Sequence, residues 1–155
     1  MGKALATAYR DAFDWAFIHV GRTRVSRRFL PDRHTVTKYD HVGYGANASI
    51  GMPICLAGMH FDEMVCRKLT DKSWSGWSYV QWPNGVWNKT WLKDMGETNI
   101  STIGGDSGGP AVSKNGKVIW GMISNGSDTV AETHFMWLGK LFPSGSPIHP
   151  LVVNP

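Results

Sequence analysis

The chain has 155 residues, 42% of them hydrophobic and 18% charged, which suits a globular domain with its own apolar core and excludes a disordered or low-complexity segment. No apolar run approaches the roughly eighteen residues that a membrane-spanning helix needs. The formal net charge of +4 is uneven, because Arg22, Arg24, Arg27, Arg28 and Arg33 crowd one segment; such a run reads as a solvated loop before it reads as a nucleic-acid surface, and no nucleic-acid partner is expected.

In chain order, Met1–Arg10 has an Ala-x-Ala flavour but no long apolar centre, so no signal peptide is read there, and a secreted protein would carry one upstream. Asp14-Trp15-Ala16-Phe17-Ile18-His19-Val20 is an acid leading into an apolar, aromatic strand. A carboxylate at the mouth of such a strand needs a donor to stay charged, and Asp14 also has a plain alternative role as a strand cap. Residues 21–45 are basic, polar and proline-broken, the composition of a connection. Ser49–Gly58 reads as a core strand entering a tight turn, Met64–Leu69 as its partner, and Trp77–Trp82 as a further strand by alternation. Pro83-Asn84-Gly85 marks a turn before Val86-Trp87.

Only two cysteines occur, Cys55 and Cys66. Their spacing fits a disulfide across a hairpin and equally fits two buried thiols. Two cysteines without a Cys/His cluster give no zinc pattern, and neither a metal nor another cofactor is expected. Asn-x-Ser/Thr sequons begin at Asn47, Asn88, Asn99 and Asn125, too common a pattern to fix the compartment.

The most informative stretch is Gly104-Gly105-Asp106-Ser107-Gly108-Gly109-Pro110. Glycines and a proline around a single Ser force a sharp turn that carries the hydroxyl out of the backbone. The same turn can aim the N–H groups of Gly105 and Ser107 at one point, where each well-placed donor stabilises a developing oxyanion by about 3–4 kcal/mol. A hairpin follows, from Ala111-Val112-Ser113 through Lys114–Lys117 to Val118–Ser124. Thr133–Trp137 reads as a last strand and Leu138–Phe142 as a short helix or turn before a proline-rich tail.

This seven-residue run resembles the nucleophile motif of the chymotrypsin-like serine proteases. Asp14-Trp15-Ala16-Phe17-Ile18 is similar to the family's run around the triad Asp, and Asp14 precedes Ser107 by 93 positions, near the family's usual interval; Asp11 is the rival. The resemblance implies an all-β double barrel: the end of a first barrel over 1–20, a linker over 21–45, a second barrel over 46–142 with a short C-terminal helix, and a tail over 143–155. It implies catalytic roles for Asp14 and Ser107, an oxyanion hole at Gly105 and Ser107, and a structural role for Asp106 through a charged partner. Substrate would lie along Ser124, Asn125 and Gly126, with Ser101 at the base of the specificity pocket. Since no Asp stands at that base, an apolar or uncharged residue before the cut is expected, and His134 is expected near the same pocket.

One component is missing. A serine hydroxyl needs a base within hydrogen-bond reach, and in this family the His precedes the Asp in an Ala-Ala-His-Cys-like run. None of His19, His34, His41, His60, His134 and His149 lies in such a run. The reading is therefore a serine endopeptidase whose His-bearing barrel is a cleaved segment or a separate chain, acting on a polypeptide substrate. The residues do not fix the compartment, and a secreted and a viral-polyprotein origin both stay open. Two alternatives stand beside it: a protease fold reused as a structural or binding module in a larger assembly such as a virus particle, and another acyl-transfer hydrolase. Against the second, strand-like text follows the Ser where an α/β-hydrolase would have a helix.

Overall fold

The computed structural model describes residues 3–10, 13–19, 28–29, 37–81 and 84–141, with side chains described over 37–79 and 84–141. Eleven strands and two short helical turns are formed among them: β1 Lys3–Arg10, β2 Phe13–His19, β3 Arg28–Phe29, β4 Thr37–Lys38, β5 His41–Val42, a 3-10 turn Gly45–Asn47, β6 Pro53–Leu56, β7 Val65–Gln81, β8 Trp87–Thr98, β9 Pro110–Val112, β10 Val118–Gly126, β11 Thr133–Trp137 and α1 Leu138–Leu141. The tail, 142–155, lies outside the described residues.

The main sheet runs β11-β8-β7-β6-β9-β10-β5, and a further β10–β11 pairing closes its first six strands into a ring. Closure removes the open edges that a flat sheet would leave unpaired. The antiparallel hairpins β6–β7, β7–β8 and β9–β10 follow the alternation in the sequence, whereas β5 joins β10 in parallel. Away from the ring, β1 and β2 form an antiparallel pair and β3 pairs with β4.

The barrel interior is filled by Ile54 and Leu56 from β6, Leu69 from β7, Ala111 from β9, Trp120 and Ile123 from β10, and Phe135 and Trp137 from β11. Leu92, Met95 and Met136 form a smaller cluster. β11 is buried at every position, Thr133 through Trp137, because it lies between β8 and β10. Trp137 meets its polar need by donating its indole N–H to the Lys72 carbonyl at 3.1 Å. Cys55 and Cys66 stand opposite each other in the β6–β7 pairing and are joined as a disulfide, which decides between the two readings their spacing allowed.

Two differences from the sequence reading have physical causes. Residues 65–69 and 77–81, from two stretches read as separate strands, belong to the single 17-residue β7, while Trp82 lies outside the described residues. Irregular registers at Leu69/Asp71, Asp71/Trp74 and Trp74/Gly76 bend it and hide its continuity from any simple alternation. The strand carrying Asp14 starts at Phe13, so Asp14 sits within β2 opposite Tyr9.

Phe135 is fully buried and forms an edge-to-face pair with Trp137, 4.8 Å between ring centroids. It lies on the strand that closes the ring, so Phe135→Ala is expected to lower stability by about 3–5 kcal/mol, measured as the shift in the urea unfolding midpoint at unchanged slope.

Candidate active site

The loop between β8 and β9 is wound into consecutive turns. Asp106 N–H donates to the Ile103 carbonyl at 3.1 Å, and Gly109 N–H donates to the Asp106 carbonyl at 3.0 Å. Gly105 at φ 105° and Gly108 at φ 86° take up left-handed backbone on either side of Asp106-Ser107, which side chains with a Cβ rarely adopt. Two bonds moor the turn to β10: Gly108 N–H to the Ile123 carbonyl and Ile123 N–H to the Gly109 carbonyl, each 2.8 Å.

Asp106 holds this turn from inside. Its carboxylate is 1% exposed; Oδ2 accepts the Ile103 N–H at 3.0 Å and Oδ1 accepts the His60 N–H at 3.0 Å. The His60 ring completes the set, with Nδ1 3.3 Å from Oδ1. Burial works to raise the Asp106 pKa, but the Ile103 and His60 backbone donors and the His60 ring outweigh it and hold the carboxyl below its ordinary 3.8. His60 is thus a hydrogen-bond partner of Asp106, through its backbone N–H and its ring. It lies 46 positions upstream in the β6–β7 loop, and no local pattern links the two.

Ser107 is exposed at the apex, and its Oγ donates to the Ser124 carbonyl at 3.2 Å. Among the described residues, neither the Gly105 N–H nor the Ser107 N–H is spent on another protein group. Ser124 is buried, Asn125 half-buried and Gly126 exposed, at the end of β10 beside the Ser107 turn. The β10–β11 register slips at Ser124, between the pairs Ile123↔Phe135 and Asn125↔His134. This bulge re-aims the strand end where it passes Ser107.

Ser101 is exposed and turns its hydroxyl toward the Val130 carbonyl at 3.5 Å. The buried residues at this position are its neighbour Thr102 and, from β11, Thr133, whose hydroxyls meet at 3.0 Å. A Cβ on Gly126 would overlap Thr102 Oγ1, so the strand end and the threonine pair are in direct contact. Sequence alignment to a motif counts positions along the chain and misses this pair, which is made by residues 31 apart. His134 is buried against Trp74, with its Nδ1 3.1 Å from Asn125 Oδ1. Burial pushes its imidazole below the ordinary histidine value, against the opposing pull of Glu132 and Glu97.

Asp14 is placed on β2, with its side chain outside the described ones, as are the side chains of His19, His34 and His149. Among the described residues no histidine hydrogen-bonds Ser107: His60 is engaged with Asp106, His134 with Asn125, and His41 sits on β5.

No family model matches the sequence, and neither does any curated protein. Solved structures do match in shape. Cellulomonas bogoriensis chymotrypsin superposes with a TM-score of 0.66 at 19% identity over 90% of this chain and 70% of its own. Thermobifida fusca protease A gives 0.67 at 18% over 90% and 69%, and Nocardiopsis protease gives 0.66 at 18% over the same shares. The fold is that of chymotrypsin. A chymotrypsin-like β-barrel therefore carries the Ser107 turn, and at these identities the likeness concerns the fold alone.

Because the Asp106 pKa is depressed in the folded chain, the stability it contributes is fully present above the unfolded value and is lost as pH falls through the folded value, below 3.8. Asp106→Asn places an amide N–H₂ against donors and is expected to cost about 2–3 kcal/mol at neutral pH. Urea midpoints of the two proteins should converge in acid below 3.8; a gap that stays constant with pH would sink this assignment.

Proposed function

We propose that this chain is the nucleophile-bearing part of a serine endopeptidase, forming an acyl-enzyme on Ser107. The observation that carries this reading is the exposed Ser107 hydroxyl on a turn locked by the buried Asp106, with the Gly105 and Ser107 N–H groups beside it. In the step proposed, Ser107 Oγ attacks the scissile carbonyl and a histidine takes its proton. The oxyanion is held by the two N–H groups, and Asp14 orients and stabilises the imidazolium. The histidine would come from a barrel outside these 155 residues, as a preceding segment or a partner chain. Residues 1–20 would then complete that barrel, with 46–142 as the second barrel. The bulged end of β10, Ser124 to Gly126, would pair with an extended substrate by main-chain hydrogen bonds.

The cleft beside Gly126 is lined by Trp74, Trp77 and Tyr79, and no carboxylate stands at Ser101, which supports an apolar or uncharged residue before the cut. Peptides with an apolar residue there should be cleaved at least about tenfold faster than those with Lys or Arg, measured as kcat/KM; a preference for Lys or Arg would overturn this assignment.

The reading itself is tested with a fluorophosphonate probe on the protein together with its co-purifying partners, the adduct being located by intact and peptide mass. Labelling of Ser107 that heat denaturation abolishes is expected, with none in Ser107→Ala and about 10⁴-fold slower acylation in Asp14→Asn. A folded sample that takes no label would favour the second reading, a protease fold serving as a binding module, which the lack of a histidine on Ser107 among the described residues supports.

A further inference from the structure

We propose that Glu97, Glu132 and His134 form a divalent-metal site of the zinc class on the flank of the barrel. Glu97 on β8 and His134 on β11 are direct cross-strand partners. Glu132 precedes His134 by two positions, which in an extended chain puts both on one face. One ligand atom from each, the two carboxylate oxygens and Nε2, lie within 4.8 Å of one another.

The imidazole is the decisive member. Its side chain is 5% exposed, and Nε2 stands 2.9 Å from Glu132 Oε1 and 3.5 Å from Glu97 Oε2. Yet Nε2 has no aligned hydrogen bond to either carboxylate. A protonated ring held as an ion triad would point its N–H along one of these contacts. A ring presenting a lone pair to a point between two carboxylates has the geometry of a ligand. Tetrahedral bonds of about 2.0–2.2 Å put neighbouring ligand atoms about 3.3–3.5 Å apart; the Glu97 contact at 3.5 Å has that spacing already, and the exposed Glu132 carboxylate, now at 2.9 Å, would draw back by about half an ångström to admit the ion.

The surrounding groups orient these three as outer partners orient metal ligands. His134 Nδ1 lies 3.1 Å from Asn125 Oδ1; donating its proton there fixes the tautomer that leaves Nε2 bare. Thr70 Oγ1 donates to Glu97 Oε1 at 2.6 Å, turning Oε2 toward the histidine. Trp74 stacks on the imidazole at 3.5 Å between ring centroids and 20° between planes, which prevents rotation of the ring. One imidazole and two carboxylates suit Zn²⁺, Co²⁺ or Mn²⁺ and are too few oxygens for Ca²⁺. Three protein ligands leave a fourth position toward the adjoining cleft of about 380 Å³, which Trp77, Tyr79 and Gly126 also line. Through Asn125, the metal would brace the bulged end of β10.

The test uses the full chain, freed of metal by chelation, with Zn²⁺ followed by calorimetry and Co²⁺ followed by its visible ligand-field absorption. One equivalent of Zn²⁺ should bind and raise the melting temperature, and Co²⁺ should give tetrahedral bands. Glu132→Gln, at a side chain 41% exposed, should keep the fold and weaken Zn²⁺ by at least about tenfold; Glu97→Gln should do likewise, and Thr70→Val should weaken it less. No uptake by the folded protein would overturn the site, as would uptake that both glutamine variants leave unchanged. These readouts do not involve Ser107 and stand apart from the protease reading.

Discussion

The burial of one carboxylate governs the candidate site. Asp106 sits almost without solvent contact at the centre of the turn that exposes its neighbour, Ser107. A charge in that position is tolerable only with donors around it, and it has three: two backbone N–H groups and the His60 ring. Those same bonds fix the turn, since the Ile103 N–H and the Asp106 N–H close it from both directions. The exposed hydroxyl and the N–H groups of Gly105 and Ser107 beside it, unspent among the described residues, are the outer surface of a lock made inside.

The barrel supplies the other half of the geometry. Ring closure places β10 between β9 and β11, and the slip at Ser124 lets one residue of β10 stand out of register as it passes Ser107. The Ser124 carbonyl that receives the Ser107 hydroxyl is a product of that slip. Beyond it, the Thr102–Thr133 contact and the buried His134 cluster tie the strand end to two different neighbours, the Ser107 loop and β8.

Much of this was legible in the residues. The run Gly104 to Pro110 declares a sharp turn around a serine because glycine and proline have few other uses in that density, and the hairpin after it follows from plain alternation. What was not legible lies across the barrel. His60 reaches Asp106 over 46 positions, Thr102 meets Thr133 over 31, and Glu97 meets His134 as a cross-strand pair. Strand register makes the last of these directly and strand pairing brings together the segments that make the other two, and in β7 and β10 register is altered by bulges that no periodicity announces. The cysteine pair shows the middle case, where spacing allowed two states and strand pairing selected one.

The dependence of Asp106 on His60 also makes the turn conditional on a second segment. The carboxylate is on the loop leading into β9, and its partner is on the loop between β6 and β7, so neither segment can satisfy it alone. Until both hairpins have docked, solvating that carboxylate in water is the better arrangement, and the turn has no reason to hold its left-handed glycines in place. The shape of the Ser107 apex therefore depends on both segments being in place, and a chain in which they are apart displays an ordinary, unshaped serine.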